Sequence, residues 1–254
     1  MTPPIKMIAT DLDGTLLRSD KTISDYTKSV LAQCRQQGIK IVYATARGAS
    51  VDSVAPASMF DGRITMNGAI AIADGHEFYT LIPYLMARPV LIACDQYGLK
   101  TTSEAVDGMH YSNFDVGNEW VIFKTKYEMV DFAQHNIDAA KLYAIIRTPE
   151  DVAYIESHLP GELYQSVSRD GLTLIMHKDA TKSKAIAKLA QLWDIAPSEI
   201  AAFGDDLNDI DMLTYAGIGV AMENALDDVK AVCKSTCQSN NSDGLAKWIE
   251  KNIL

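Results

Sequence analysis

Cysteine, histidine and basic residues are all sparse in this chain, and each shortage removes a class of function. The four cysteines, Cys34, Cys94, Cys233 and Cys237, form no Cys-x-x-Cys pair and have no histidine beside them. A redox dithiol or a thiolate zinc site therefore lacks its ligands, and reduced thiols packed as small apolar groups are expected. The five histidines, His76, His110, His135, His158 and His177, fall at no metal-binding spacing and are expected on the surface or in packing. Lys and Arg total 23 against 33 Asp and Glu, a net charge of −10. Nucleic acid, which demands clustered cations, is thus an unexpected partner. Long apolar runs are missing too: none approaches the ~20 residues of a membrane helix. The start, Met1-Thr2-Pro3-Pro4, has neither a basic segment nor a leader-like stretch, so a cytoplasmic protein with no membrane partner is expected. Oligomeric state leaves no mark that a sequence displays.

Apolar residues are plentiful, at 48% of the chain, which favours a full globular core over disorder. At 254 residues one large or two modest domains are allowed. Ile5 to Thr10 reads as a buried strand. Ser24 can cap a helix carrying Val30, Leu31 and Cys34 on one face, and Gly38 is placed to end it. Ile39 to Ala44 is a second buried strand, with a short helix expected after Arg47-Gly48. Strand, helix, strand with short joints predicts an α/β, Rossmann-like parallel sheet with helices on both faces. Between Asp61 and Leu81 the texture changes to short strands punctuated by Asn67-Gly68 and Asp74-Gly75, dipeptides that join antiparallel strands. The middle mixes helices with strands such as Leu142–Ile146 and Leu172–Met176. After it, Lys182 to Trp193 reads as a helix, and strand-helix alternation resumes from Ile200. The organisation expected is a core of residues 1–81 and 181–254, with an α+β cap inserted over 82–180. Met109, Tyr111, Phe114 and Trp120 of that insertion are expected mainly in its core, with Asp107, Gly108 and Asp115 in its loops.

The chemistry lies at the strand ends. Asp11-Leu12-Asp13-Gly14-Thr15-Leu16 follows the first strand directly, and carboxylates at i and i+2 of an extended segment point the same way. Two crowded anions repel unless a cation or proton lies between them. Gly204-Asp205-Asp206-Leu207-Asn208-Asp209 supplies more carboxylate after another apolar run, Ile200–Phe203. In a parallel sheet Asp11, Thr45 and Asp205 would share the carboxyl edge, where ligands bind. Taken singly, each element has another reading: an Asp-Gly turn or a calcium loop for the first, a helix-capping hydroxyl for Thr45, a solvated lysine for Lys182, a plain turn for Asn67. Lys184 competes with Lys182 for the cation position.

Taken together and in order, Asp11-Leu12-Asp13-Gly14-Thr15-Leu16-Leu17, Thr45, Lys182 and Gly204–Asp209 resemble the four motifs of the haloacid dehalogenase superfamily. Asn67-Gly68-Ala69, the large insertion, the segment Ala216–Ala225 and Asp243-Gly244-Leu245 resemble its Cof-type, large-cap phosphatases. Glu223 stands where that branch often has glycine. The resemblance implies a Mg²⁺-dependent phosphatase acting on small phosphorylated metabolites such as sugar phosphates. Asp11 would be the nucleophile that forms an aspartyl-phosphate, and Asp13 the acid and base. Asp11, the backbone of Asp13 and Asp205 would hold Mg²⁺. The Leu12 N–H, Thr45, Lys182 and Asn208 would bind the phosphoryl oxygens, Asp209 and Asn208 would support the metal ligands, and Arg47 and Asn67 are candidates for touching substrate. A phosphosugar mutase of the same superfamily, or a non-enzymatic phospho-ligand sensor, are the alternatives.

Overall fold

The computed structural model describes residues 4–119, 126–167 and 171–254. Trp120, expected in the core of the insertion, lies outside the described residues, as do Met1, Thr2 and Pro3. The chain divides into two compact units, one made of Met1–Phe78 with Thr181–Leu254 and the other of Tyr79–Ala180.

The first unit opens with β1 (Met7–Thr10), α1 (Asp25–Gln36), β2 (Lys40–Ala44), β3 (Gly62–Thr65), β4 (Ile70–Ala73) and β5 (His76–Tyr79). Ser24 caps α1, accepting a hydrogen bond from the Thr27 N–H at 3.0 Å, and Gly38 turns the chain out of it with φ +83°. The second unit holds α2 (Tyr84–Gln96), β6 (Thr101–Glu104), β7 (His110–Ser112), α3 (Val116–Glu119), β8 (Tyr127–Met129), β9 (Lys141–Ile145), α4 (Pro149–His158), β10 (Leu163–Val167) and β11 (Leu172–His177). The chain then returns to the first unit with α5 (Lys182–Leu192), β12 (Ile200–Gly204), α6 (Ile210–Tyr215), β13 (Ile218–Met222), α7 (Asp227–Val232), β14 (Ser235–Cys237) and α8 (Gly244–Asn252). The helix expected after Gly48 is a short 3₁₀ segment, Ala49–Ser53.

The sheet of the first unit has the order β14-β13-β12-β1-β2-β3-β4-β5. Pairing is parallel from β14 to β3 and antiparallel between β3 and β4. All four residues of β1 are buried, as expected of a strand with helices on both faces. Alternation sorts its side chains: Met7 and Ala9 join Ile186 and Leu189 of α5, whereas Ile8 joins Leu31 and Cys34 of α1 and Leu245 and Ile249 of α8. Chain order runs outward from β1 in one direction through β2 and β3, and in the other through β12, β13 and β14. The crevice between β1 and β12 is therefore a topological switch point, where open α/β sheets bind ligands. This is the Rossmann-like α/β architecture expected.

The second unit builds a six-stranded sheet in the order β10-β11-β9-β6-β7-β8. Leu142, Ala144 and Ile175 pack one face of it against Val90, Leu91 and Cys94 of α2 and Ile155 of α4. The register pairs Glu104 with Lys141 and with His110, so these polar groups share a face. All three are buried.

Candidate active site

Asp11 continues β1 by one residue, and its N–H donates to the Phe203 carbonyl of β12 at 3.0 Å. Its parity is that of Met7 and Ala9, so its side chain turns toward the face covered by α5. There Thr181 caps α5, accepting from the Lys184 N–H at 3.3 Å, and Lys182 becomes the first helical residue. A lysine at this position opposes the helix dipole; two carboxylates offset the cost. The Lys182 ammonium donates to Asp11 Oδ1 at 2.7 Å and to Asp209 Oδ1 at 2.6 Å, with no exposed side-chain area of its own. Lys184 is exposed. That answers which of the two lysines enters the acidic cluster.

Asp205 follows β12 as Asp11 follows β1. Its Oδ1 accepts from the Thr15 hydroxyl at 2.6 Å. Gly14, at φ +84°, lies so close that a Cβ would fall 2.2 Å from Asp205 Oδ2, so only glycine allows that carboxylate its position. Asp209 is fully buried. Its Oδ2 accepts from the Asp205 and Asp206 N–H groups at 2.9 and 3.0 Å. Asp11, Asp205 and Asp209 thus offer carboxylate oxygens within 4.8 Å of one another. The donors are all oxygen, the set a hard divalent cation such as Mg²⁺ prefers.

Asp13 turns elsewhere. Its carboxylate is gripped by Arg47, with Nε at 2.5 Å and Nη2 at 2.7 Å, and by the Lys21 ammonium at 2.7 Å. The Asp13 carboxylate is thus paired with cations and is not part of the cluster of Asp11, Asp205 and Asp209. The Leu12 side chain is buried among apolar side chains. Thr45, buried at the end of β2, accepts at its hydroxyl from the Arg47 N–H at 3.2 Å. Asn208 Nδ2 donates to Asn67 Oδ1 at 3.0 Å.

Burial and mutual repulsion set the protonation pattern. Asp11 is pushed up to about 7, first by loss of water and then by the charges of Asp209 and Asp205, against the pull of Lys182. Burial also raises Asp205 to about 6, countered in part by the Thr15 hydroxyl. Burial works against the Lys182 charge, yet Asp11 and Asp209 hold its ammonium more firmly than an ordinary lysine. Lys182 therefore stays charged, and three carboxylates facing one ammonium leave an excess of negative charge that a further cation would balance. Asp13 goes the other way: burial would raise it, but hydrogen bonds and charge from Arg47 and Lys21 bring it down to about 2.

Several participants carried no signal when read alone. Lys21 sits in a tight turn, at φ +65°, and Thr15 reaches across 190 residues to Asp205. Asn224 Nδ2 donates to the Gly14 carbonyl at 2.8 Å, and Asn240 Nδ2 to the Leu17 carbonyl at 2.8 Å; the pair braces the acidic loop from β13 and β14. Polar side chains trailing those strands were the available clue. Glu223 accepts from the Ser239 N–H at 3.1 Å and faces a cleft shared with Lys230 and Lys247, so its charge is spent outside the carboxylate cluster.

Comparison with known proteins gives this geometry a family. Residues 8–249 match the model of the haloacid dehalogenase-like hydrolases. The chain is 30% identical to the 5-amino-6-(5-phospho-D-ribitylamino)uracil phosphatase YbjI of Escherichia coli, over 97% of this chain and 96% of that one. It is 25% identical to the Bacillus subtilis phosphatase YitU, named for the same substrate, over 96% of both. Among solved structures, a phosphatase of the superfamily from Bacteroides thetaiotaomicron superposes with a TM-score of 0.83 at 26% identity, covering 98% of this chain and 95% of that one. The chain belongs to the haloacid dehalogenase-like hydrolase family.

Proposed function

We propose that this enzyme, a phosphatase of its family, hydrolyses small phosphate monoesters in the cytoplasm, sugar phosphates or other phosphorylated metabolites, through an aspartyl-phosphate on Asp11. The observation that carries the reading is the buried cluster of Asp11, Asp205 and Asp209 with Lys182 between two of them. The names of the relatives YbjI and YitU support a phosphorylated small-molecule substrate. Asp11, the Asp13 carbonyl and Asp205 would hold Mg²⁺, with Asp209 and Asn208 supporting them; bound there, the ion neutralises charge on the phosphoryl oxygens.

Lys182 fixes Asp11 Oδ1 and so orients Oδ2 for in-line attack on phosphorus. As the O–P bond forms, the ester P–O bond breaks, and a proton from Asp13 goes to the leaving alkoxide. In the resting site Arg47 and Lys21 hold Asp13 as a carboxylate. An arriving phosphoryl dianion draws those two cations toward itself, and Asp13 can then take up the proton it donates. In the second half, Asp13 removes a proton from water, which attacks phosphorus and returns Asp11 to a carboxylate. The Leu12 N–H, the Thr45 hydroxyl, Lys182 and Asn208 stabilise the charge spread over the transferring group, and Arg47 contacts the substrate. The 82–180 insertion is the domain that selects the leaving group. The test is hydrolysis of p-nitrophenyl phosphate and a metabolite panel: activity should vanish in EDTA and return with Mg²⁺. Turnover that persists in chelator contradicts the metal assignment, isomer formation without phosphate release points to a mutase, and inertness toward every ester points to a sensor.

A further inference from the structure

The turn Met66-Asn67-Gly68 joins β3 to β4 in a conformation that the hairpin does not require. The register pairs Thr65 with Ile70, and a loop of that length is most often built around a type I turn, whose two central residues are right-handed. Here Met66 has φ +50° and Asn67 φ +55°, two side-chain-bearing residues in succession in the left-handed region, followed by Gly68 at φ +104°. Asparagine tolerates this region; methionine does so at a cost. All three residues are buried. Backbone strain of this kind persists only where surrounding contacts over-determine it.

Those contacts reach three separate parts of the site. The Asn67 N–H donates to the Thr45 carbonyl and the Met66 N–H to the Arg47 carbonyl, both at 3.0 Å. Asn67 Oδ1 accepts from Asn208 Nδ2 at 3.0 Å, across 141 residues of sequence. Gly68 is pressed onto the residue preceding Lys182: a Cβ there would lie 2.2 Å from the Thr181 carbonyl oxygen. A plain hairpin turn explains none of these three attachments.

We propose that Met66-Asn67-Gly68 is the positioning turn of the phosphoryl site. Its backbone ties down the Thr45–Arg47 segment, Gly68 seats the start of α5 and with it Lys182, and the Asn67 amide holds Asn208. Asn67 is then a positioning residue that acts through Asn208 and does not bind substrate itself. The inference rests on the phosphatase reading above and deepens it by giving Asn67 a different task from substrate contact.

Steady-state kinetics on Asn67→Gly, Asn208→Ala and the double variant test it, with p-nitrophenyl phosphate and Mg²⁺. Glycine keeps the left-handed backbone and removes only the amide, which separates the side chain's part from the turn's. Asn67→Gly should lose about tenfold in kcat/KM, the low end for removing an outer supporting partner, and Asn208→Ala, which removes a donor to the transferring group, at least as much, with the same split between kcat and KM. The double variant should lose no more than the worse single one. Losses that multiply, a KM rise peculiar to Asn67→Gly, or wild-type rates in Asn67→Gly would overturn the assignment. A second arm needs no turnover: the side-chain amide resonance of Asn208 should shift in Asn67→Gly, and an unmoved resonance in a folded variant refutes the contact. Were the wild-type enzyme inert toward all esters, the phosphatase reading would fall, while this arm would still decide whether the turn holds Asn208.

Discussion

Replacing Lys182 by methionine removes one charge and strands two. Its ammonium is fully buried, with Asp209 fully buried and Asp11 9% exposed at its two ends. Taking one partner from such a group leaves an uncompensated buried charge, a loss of about 3–5 kcal/mol. The sign of the pH dependence follows from Asp11, already raised to about 7 and raised further once Lys182 is gone. At pH 5 the Asp11 carboxyl takes a proton, so the loss falls at the low end of that range. At pH 8 neutralising Asp11 costs more and the loss moves to the high end. Millimolar Mg²⁺ should return part of the lost stability, because the variant binds a cation to a site with more negative charge. Urea unfolding of the α/β unit, followed by circular dichroism in EDTA and in Mg²⁺ at both pH values, measures each quantity. Hydrolysis should drop roughly 10²- to 10³-fold in the Mg²⁺-loaded variant, the scale of losing one preorganised electrostatic donor. A stability loss under about 1 kcal/mol at pH 8 in EDTA would refute the reasoning, since it would mean that Lys182 does not neutralise these carboxylates.

Gly14→Ala should cost about tenfold or more in Mg²⁺ affinity, because the added methyl would drive Asp205 Oδ2 from its place; calorimetric Mg²⁺ titration reads it, and unchanged affinity would separate Asp205 from the ion. Glu104→Gln should destabilise the Tyr79–Ala180 unit by about 1.5–3 kcal/mol, the scale of a hydrogen bond to a charged group, because it takes the charge from a buried carboxylate that accepts from the Tyr143 hydroxyl and faces His110. Burial works to raise Glu104, but His110, Tyr143 and Lys141 bring it below its ordinary 4.5. A depressed carboxyl contributes stability above its unfolded pKa and loses it as pH falls through the folded one. Hydrogen exchange of β6 and β9 should therefore quicken below about pH 4.5 in the wild type and much less so in Glu104→Gln; identical profiles would remove Glu104 from the account.

The sheet was readable because buried parallel strands announce themselves as continuous apolar runs, and Met7–Thr10 and Ile200–Phe203 each stop at an acidic residue. That Asp11, Thr45 and Asp205 share an edge followed from parallel topology alone. The place of Lys182 was readable in part, since Thr181 is a good helix cap and a residue just inside a helix start faces the sheet edge. What stayed hidden depends on contacts between distant segments. The grip of Lys21 and Arg47 on Asp13 needs the turn that gives Lys21 its positive φ. The double use of Asp209, by Lys182 and by two N–H groups, needs the 3₁₀ turn Leu207–Asp209. Asn67 reads from the sequence as a plain turn or as a substrate contact, and neither reading reaches Asn208, because that partner lies 141 residues away. Glu223 departs from the pattern of the branch, but its hydrogen bond to Ser239 is not legible in the sequence, since position alone does not reveal the direction in which a strand-end side chain leaves.

In the proposed mechanism Asp11 takes the phosphoryl group. Asp13→Asn, which cannot activate water, should accumulate the covalent intermediate when mixed with Mg²⁺ and p-nitrophenyl phosphate, whose phenolate leaves without a proton from Asp13, and quenched in acid. Mass spectrometry of the peptide containing Asp11 should then show one added phosphoryl group, absent when Asp11→Asn is treated alike. A phosphoryl group on any other residue, or a wild-type-like rate in Asp11→Asn, would contradict the account.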